Sequence, residues 1–173
     1  MNSNNISSIT QLLKKMKLEK EVVYNGGKYK NYNCEFRKPA RIEDIETFEN
    51  DTGCLLPQDY KELLLFSDGM AFLINGELDL LSLEEMKDLI GANNYREGIF
   101  TIGVILDDYI IVNSNEIKTQ KYLYVGDQYS LNEFMCFEYD FSTFLEYYIS
   151  LNYQNYWRYS LNPKLYDFAE ILY

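Results

Sequence analysis

Residues 45–69 read IETFENDTGCLLPQDYKELLLFSDG, and this stretch decides the fold. Ile42, Ile45 and Phe48 recur at helical spacing along an acidic run that stops at Gly53. A glycine just past a helix end accepts the left-handed conformation that closes the last turn. Leu55-Leu56 then leads into Pro57. Proline at a first helical position forfeits no hydrogen bond, because that N–H has no partner in any case. Tyr60, Leu63 and Leu64 give a second helix its apolar face, and Asp68-Gly69 closes it. The stretch holds no nucleophile–base pair, no metal-ligand spacing and no phosphate loop. It reads as architecture: a fixed corner between two helices, stapled by Phe48, Leu56, Tyr60 and Leu64. Glu49, one residue beyond a buried phenylalanine, is expected to hydrogen-bond at that corner. The alternative for Glu49 is a ligand-facing acid.

The rest of the chain extends this unit. Upstream, Ile6, Ile9, Leu12, Leu13 and Met16 predict an amphipathic helix over 6–18. Val22-Val23-Tyr24 suggests the start of a strand, followed by a turn and an extended segment up to Pro39. Downstream, Asn75-Gly76 between apolar arms in 72–81 is a hairpin signal. Ser82-Leu83-Glu84-Glu85 is a capping box opening a helix over 83–90, closed by Gly91. Residues 99–105 and 109–113 form a strand pair around Asp107-Asp108, and 121–125 and 134–138 read as two more strands. Asp140 caps a helix with Phe141, Phe144, Leu145, Tyr148 and Ile149 on one face. Asn162-Pro163 opens a last helix over 163–172. The strand links are short enough for antiparallel pairing. The fold class is therefore α+β: a single domain over 1–173, with one mostly antiparallel sheet of about six strands and helices packed on one face.

Composition narrows the function. Apolar residues make up 47% and aromatics 16% of the 173 residues, and 17 are tyrosines, which suit half-buried positions and interfaces. No apolar run approaches the ~20 residues that span a bilayer, and the N-terminus lacks the apolar core of a signal peptide, so a cytoplasmic location and no membrane contact are expected. Cys34, Cys54 and Cys136 are widely spaced with no C-x-x-C, the pattern of buried, idle thiols. The chain has no histidine, which removes the triad arrangements, the usual general base and His-rich zinc sites. Neither a metal nor a cofactor is expected. Net charge is −11. Residues 1–41 carry nine basic residues against three acidic, a net of +6, and residues 42–173 carry seven against 24, a net of −17. Such a body attracts a basic partner and repels nucleic acid. The basic, aromatic stretch KYKNYNCEFRK at 28–38 reads as a Lys-rich connection on that acidic body.

The ordered pattern Ile45, Phe48, Glu49, Gly53, Leu56, Pro57, Asp59, Tyr60, Lys61, Asp68, Gly69 resembles the Smi/Knr cell-wall-assembly-regulator family of the SUKH superfamily. The resemblance continues through the short helix at Leu80–Met86, Ile102-Gly103, the strand Asp108–Asn113 and the helix opening at Asp140–Leu145, covering residues 40–151. It implies a non-catalytic binding module. Bacterial members of this kind are regarded as immunity proteins that neutralise one cognate toxin domain, often a nuclease, by stoichiometric binding; fungal relatives are regulatory scaffolds. The candidate contact residues are acids flanking strands: Glu77 and Asp79 on the first hairpin, Asp107 and Asp108 on the second, solvated until a basic protein arrives. An enzyme stays open as an alternative if Asp107, Asp108, Glu138 and Asp140 converge on a divalent cation.

Overall fold

The structure, a computed structural model, describes residues 8–18, 22–23, 29–30, 34–72, 78–92, 96–119, 121–127, 134–150 and 165–166. Helix α1 is Ser8–Leu18, and β1 (Val22–Val23) and β2 (Tyr29–Lys30) form a small antiparallel ladder of their own. Strand β3 is Cys34–Phe36. The two helices of the corner follow, α2 (Ile42–Thr52) and α3 (Gln58–Phe66). Then come β4 (Met70–Phe72), β5 (Leu78–Leu80), α4 (Leu83–Ala92), β6 (Ile99–Ile105) and β7 (Asp108–Asn113). A 3-10 turn at Ser114–Thr119 leads to β8 (Leu123–Asp127), β9 (Phe134–Phe137), α5 (Phe141–Ser150) and β10 (Leu165–Tyr166).

Strands β3 to β10 lie side by side in sequence order, and every pairing is antiparallel. The α+β fold holds, with eight strands in the sheet among the described residues where about six are expected. The two additions are its edges. Strand β3 falls inside the segment read as a connection. Strand β10 occupies the start of the last expected helix, so over 165–166 that expectation is corrected; the rest of 163–172 lies outside the described residues. Both edges are two or three residues long, too short to show a periodicity. Pairing to a neighbour, rather than any local preference, makes them strands. The Asn75-Gly76 turn also lies outside the described residues, and the strands flanking it pair Met70 with Leu80 and Ala71 with Asp79.

Alternation along the central strands sorts their side chains. Ile110, Val112, Leu123, Val125 and Phe137 face the helices, and Ile99, Ile111, Tyr124, Phe134 and Cys136 form a second buried cluster on the opposite face. The helical side carries the main core. Tyr60 is fully buried, with the Phe141 ring edge-on at 4.9 Å, and its hydroxyl reaches the carbonyls of Leu81 (2.9 Å) and Ile102 (2.8 Å). Phe48 packs edge-on against Phe100 of β6 at 6.0 Å. The corner therefore ties two helices to the sheet and to α5. Gly53 ends α2 at φ 69°, its N–H donating to Glu49 O, and Pro57 stands as the N-cap of α3 rather than inside its first turn. The three cysteines are free; burial pushes the Cys34 thiol up to about 12 and raises Cys54 and Cys136, so all three stay protonated near neutral pH. No helix among the described residues is long and apolar enough to cross a membrane.

Candidate protein-binding surface

The acids of the corner serve backbone amides at helix starts. The first amides of a helix have no intrahelical acceptor, so a carboxylate placed there satisfies them and meets the positive end of the helix. Glu49 accepts from Leu56 N–H at 2.7 Å, just before α3, and from Lys61 Nζ at 2.8 Å. Asp59 accepts from Tyr60 N–H (2.9 Å) and, far along the chain, from Ser142 N–H (2.7 Å) in the first turn of α5. Phe141 N–H donates to Tyr122 Oη and Thr143 N–H to Asp140 Oδ1, so three side chains from different places receive the opening of α5. Asp68 accepts from Leu83 N–H at 2.9 Å and so starts α4 beside the Ser82–Glu85 capping box. Burial raises the pKa of Asp59 and of Asp68 against the lowering effect of these bonds. Gly69 follows at φ 81°, and a Cβ there would stand 2.6 Å from Leu80 O, so only glycine fits. Glu49 thus makes the hydrogen bond expected at a helix corner.

The four acids expected to meet a partner separate. Glu77 lies outside the described residues. Asp79 sits on the sheet face away from the helices, 3.4 Å from Arg37 Nη2, and partial burial raises its pKa. Arg37 also contacts Glu85. Asp107 is exposed at the β6–β7 turn beside Leu106, which is 51% exposed with φ 53°. Asp108, expected to be solvated, is 3% exposed. Its register partner is Ile105, a residue of the helix-side core, so alternation turns it inward while Tyr109 faces out. The carboxylates of the enzyme alternative do not converge. Asp108 pairs with Asp127 at one end of β8, and Leu123 at the other end pairs with Phe137, next to Glu138. The five-residue strand separates the two groups by about 14 Å. Among the described residues no group of three or more Cys, Asp or Glu is placed to hold a metal ion.

A larger acidic surface arises where α2 packs beside α4, joined by a Lys87–Asp51 ion pair of 2.7 Å. Residues 42–52 hold Glu43, Asp44, Glu46, Glu49 and Asp51 with no Lys or Arg; residues 83–92 hold Glu84, Glu85 and Asp88 against Lys87, a net of −7 for the two helices. Glu43, Glu46, Glu84 and Asp88 are exposed, and none is in an ion pair among the described residues. Arg37, Lys38, Asp68 and Ser82 border an open cleft of about 470 Å³ against the start of α4. The periodicity of each helix places these acids on its polar side, but only the packing of α2 beside α4 joins them.

The SMI1 / KNR4 family (SUKH-1) matches residues 39–170. The chain belongs to this family. It is 27% identical over 139 residues to the uncharacterized protein YnaB of Bacillus subtilis (strain 168), a match that covers 79% of this chain and 94% of YnaB. It is 28% identical over 131 residues to the uncharacterized protein YobM of the same organism, covering 68% of this chain and 70% of YobM.

Membership in SUKH-1 accords with a binding or regulatory module. In this SUKH-1 chain Asp59 and Asp68 accept from first-turn amides of α5 and α4, and Glu49 from the amide just before the N-cap of α3. The exposed acids Glu43, Glu46, Glu84 and Asp88 stand outside that pattern.

Proposed function

We propose that this SUKH-1 protein is a non-catalytic immunity protein, acting in the cytoplasm without metal or cofactor, that neutralises a cognate toxin domain by stoichiometric binding. The observation that carries the reading is the α2–α4 surface, where Glu43, Glu46, Glu84 and Asp88 are exposed and outside any ion pair among the described residues. Exposed carboxylates outside ion pairs leave part of their field available to a basic protein. A nuclease face is basic because it binds phosphate, so it is the kind of toxin surface this field suits. Steering by such a field raises association rates and makes them fall steeply with salt. Asp79 and Asp107 add negative charge elsewhere on the surface, whereas buried Asp108 takes no part.

The test is coexpression with the product of a toxin-like gene adjacent to its own. The wild type should restore growth and copurify with the toxin as a 1:1 complex. Reversing Glu43, Glu46 and Glu84 to lysine should leave folding intact, slow association about tenfold or more at low salt and flatten its salt dependence. If no complex forms with any neighbouring product, the immunity reading fails and a regulatory scaffold replaces it. Unchanged association in the reversed variant would remove the α2–α4 surface from the interface.

A further inference from the structure

At the end of the sheet where β7 finishes, the charge pattern inverts. A cleft of about 410 Å³, within the range of small-ligand sites, opens on the face away from the helices. Arg96 and Lys121 line it with a single acid, Glu116, in a chain of net charge −11. Glu116 Oε2 accepts from Thr119 Oγ1 at 2.9 Å and keeps its negative charge beside the two cations. The deciding group is Asn113. Its side chain lines the cleft although the residue is only 8% exposed. Its Oδ1 accepts from Asn115 N–H at 3.1 Å, which fixes the orientation of the amide, and its Nδ2 donates to no described group. That nitrogen is open to solvent on the cleft side, where Lys121 and Arg96 are its cationic neighbours on the rim. Ile99 and Tyr124, from the second buried cluster, supply an apolar and aromatic wall.

The rim is built rather than incidental. Ile99 N–H donates to Arg96 O at 3.0 Å, and Ser114 donates to Gly98 O through both its N–H (2.7 Å) and its hydroxyl (2.8 Å). Asn115 Nδ2 donates to Glu97 O at 3.2 Å, and Asn113 N–H donates to Tyr122 O at 2.8 Å. These bonds fix the backbone around the cleft, and the bond from Asn115 N–H fixes the Asn113 amide.

We propose that this cleft binds an oxyanion, the carboxylate or phosphate group of a small molecule whose body lies on Ile99 and Tyr124. Asn113 Nδ2 and Lys121 Nζ donate to the oxyanion and Arg96 adds positive charge. The site does not depend on the immunity reading.

The test titrates inorganic phosphate and benzoate into the whole protein at constant ionic strength, with chloride as reference, followed by calorimetry and amide chemical shifts. The wild type should bind at least one probe saturably. Tighter phosphate would assign a phosphoryl ligand, and tighter benzoate a carboxylate on a planar body. Lys121→Ala should weaken binding about tenfold, the usual scale of one charge-assisted bond. Asn113→Asp keeps the oxygen that serves Asn115 and replaces the free donor by a repelling oxygen, so it should abolish binding. Lys118→Ala, on the neighbouring 3-10 turn, should change nothing. The proposal is overturned if neither probe binds better than chloride, if Lys118→Ala weakens binding as much as Lys121→Ala, or if a folded Asn113→Asp binds like wild type. Should Asn113→Asp not fold, the comparison of the two exposed lysines decides.

Discussion

Tyr60 links the helix corner to the sheet in two separable ways, and two substitutions divide them. The ring is fully buried and edge-packed on Phe141 at 4.9 Å. Tyr60→Ala removes it and leaves a cavity, which costs about 3–5 kcal/mol. Tyr60→Phe keeps the ring and removes the hydroxyl between Leu81 O and Ile102 O. Ile102 O retains another donor, Leu81 N–H at 2.9 Å, so the variant orphans the Leu81 carbonyl alone. One buried carbonyl left without a partner costs about 1–3 kcal/mol, and the remaining bond at Ile102 places the expectation near 1–2. At this size, about 2–4 °C of melting temperature accompany each kcal/mol. Urea unfolding of the three proteins, with m values compared, gives both numbers. Phe48→Ala should fall in the same range as Tyr60→Ala, since Phe48 is buried against Phe100 from the other helix. A Tyr60→Phe variant within about 0.5 kcal/mol of wild type would refute the reasoning about the hydroxyl. An equal loss in Tyr60→Phe and Tyr60→Ala would refute the weight given to the ring.

Other substitutions probe the acids and the one strained turn. Glu49→Ala should cost about 1–2 kcal/mol in chemical unfolding by releasing Leu56 N–H and leaving Lys61 without its carboxylate, and Glu49→Gln should recover part of it. Burial holds the pKa of folded Asp59 above its ordinary value, so its contribution is fully present below the unfolded pKa and is lost as pH rises through the folded one. Asp59→Asn should therefore lag wild type most near about pH 4 and recover ground toward about pH 7 in parallel melts; a gap that widens over that interval contradicts the burial argument. Leu106 holds φ 53° while largely exposed, so Leu106→Gly should raise stability by about 0.5–1 kcal/mol, and any loss of stability would mean that the leucine packs usefully.

The parts of the fold that sequence made legible are those set by neighbours in the chain. The corner from Ile45 to Gly69 follows from a helical apolar stripe, a glycine stop and a proline start, each a local preference. The same holds for α5 and for the apolar runs of β6 and β7 around the Asp107-Asp108 turn. Edge strands β3 and β10 owe their conformation to partners far along the chain, Cys34 to Phe72 and Leu165 to Met135, and no window of sequence contains that pairing. Asp108 shows the limit at a single residue. As one of two acids in a turn signal it reads as solvated, yet its pairing with Ile105 sets its parity, and parity turns it to the buried face. The α2–α4 surface is hidden from sequence for a similar reason: the acids of each helix are plain there, and their adjacency is not.

Family pattern and exposed charge separate in this molecule, and the separation bears on what SUKH-1 membership can mean for function. Asp59 and Asp68 receive amides that start α5 and α4, Glu49 receives the Leu56 amide just before α3, and a change at any of them acts first on the fold. Glu43, Glu46, Glu84 and Asp88 make no ion pair among the described residues, so the fold places little constraint on them. A surface of that kind can be recharged to suit a different partner at small cost in stability, since exposed charges contribute little to folding. Asn113 departs from this separation. It belongs to the family-like strand Asp108–Asn113, its oxygen serves Asn115, and its amide nitrogen opens without a described acceptor into the cleft beside Lys121. Architecture explains the oxygen. The nitrogen is the group the proposed oxyanion would meet, and Asn113→Asp, which keeps an acceptor for Asn115 while replacing that donor by a charged oxygen, tests the second role within one side chain.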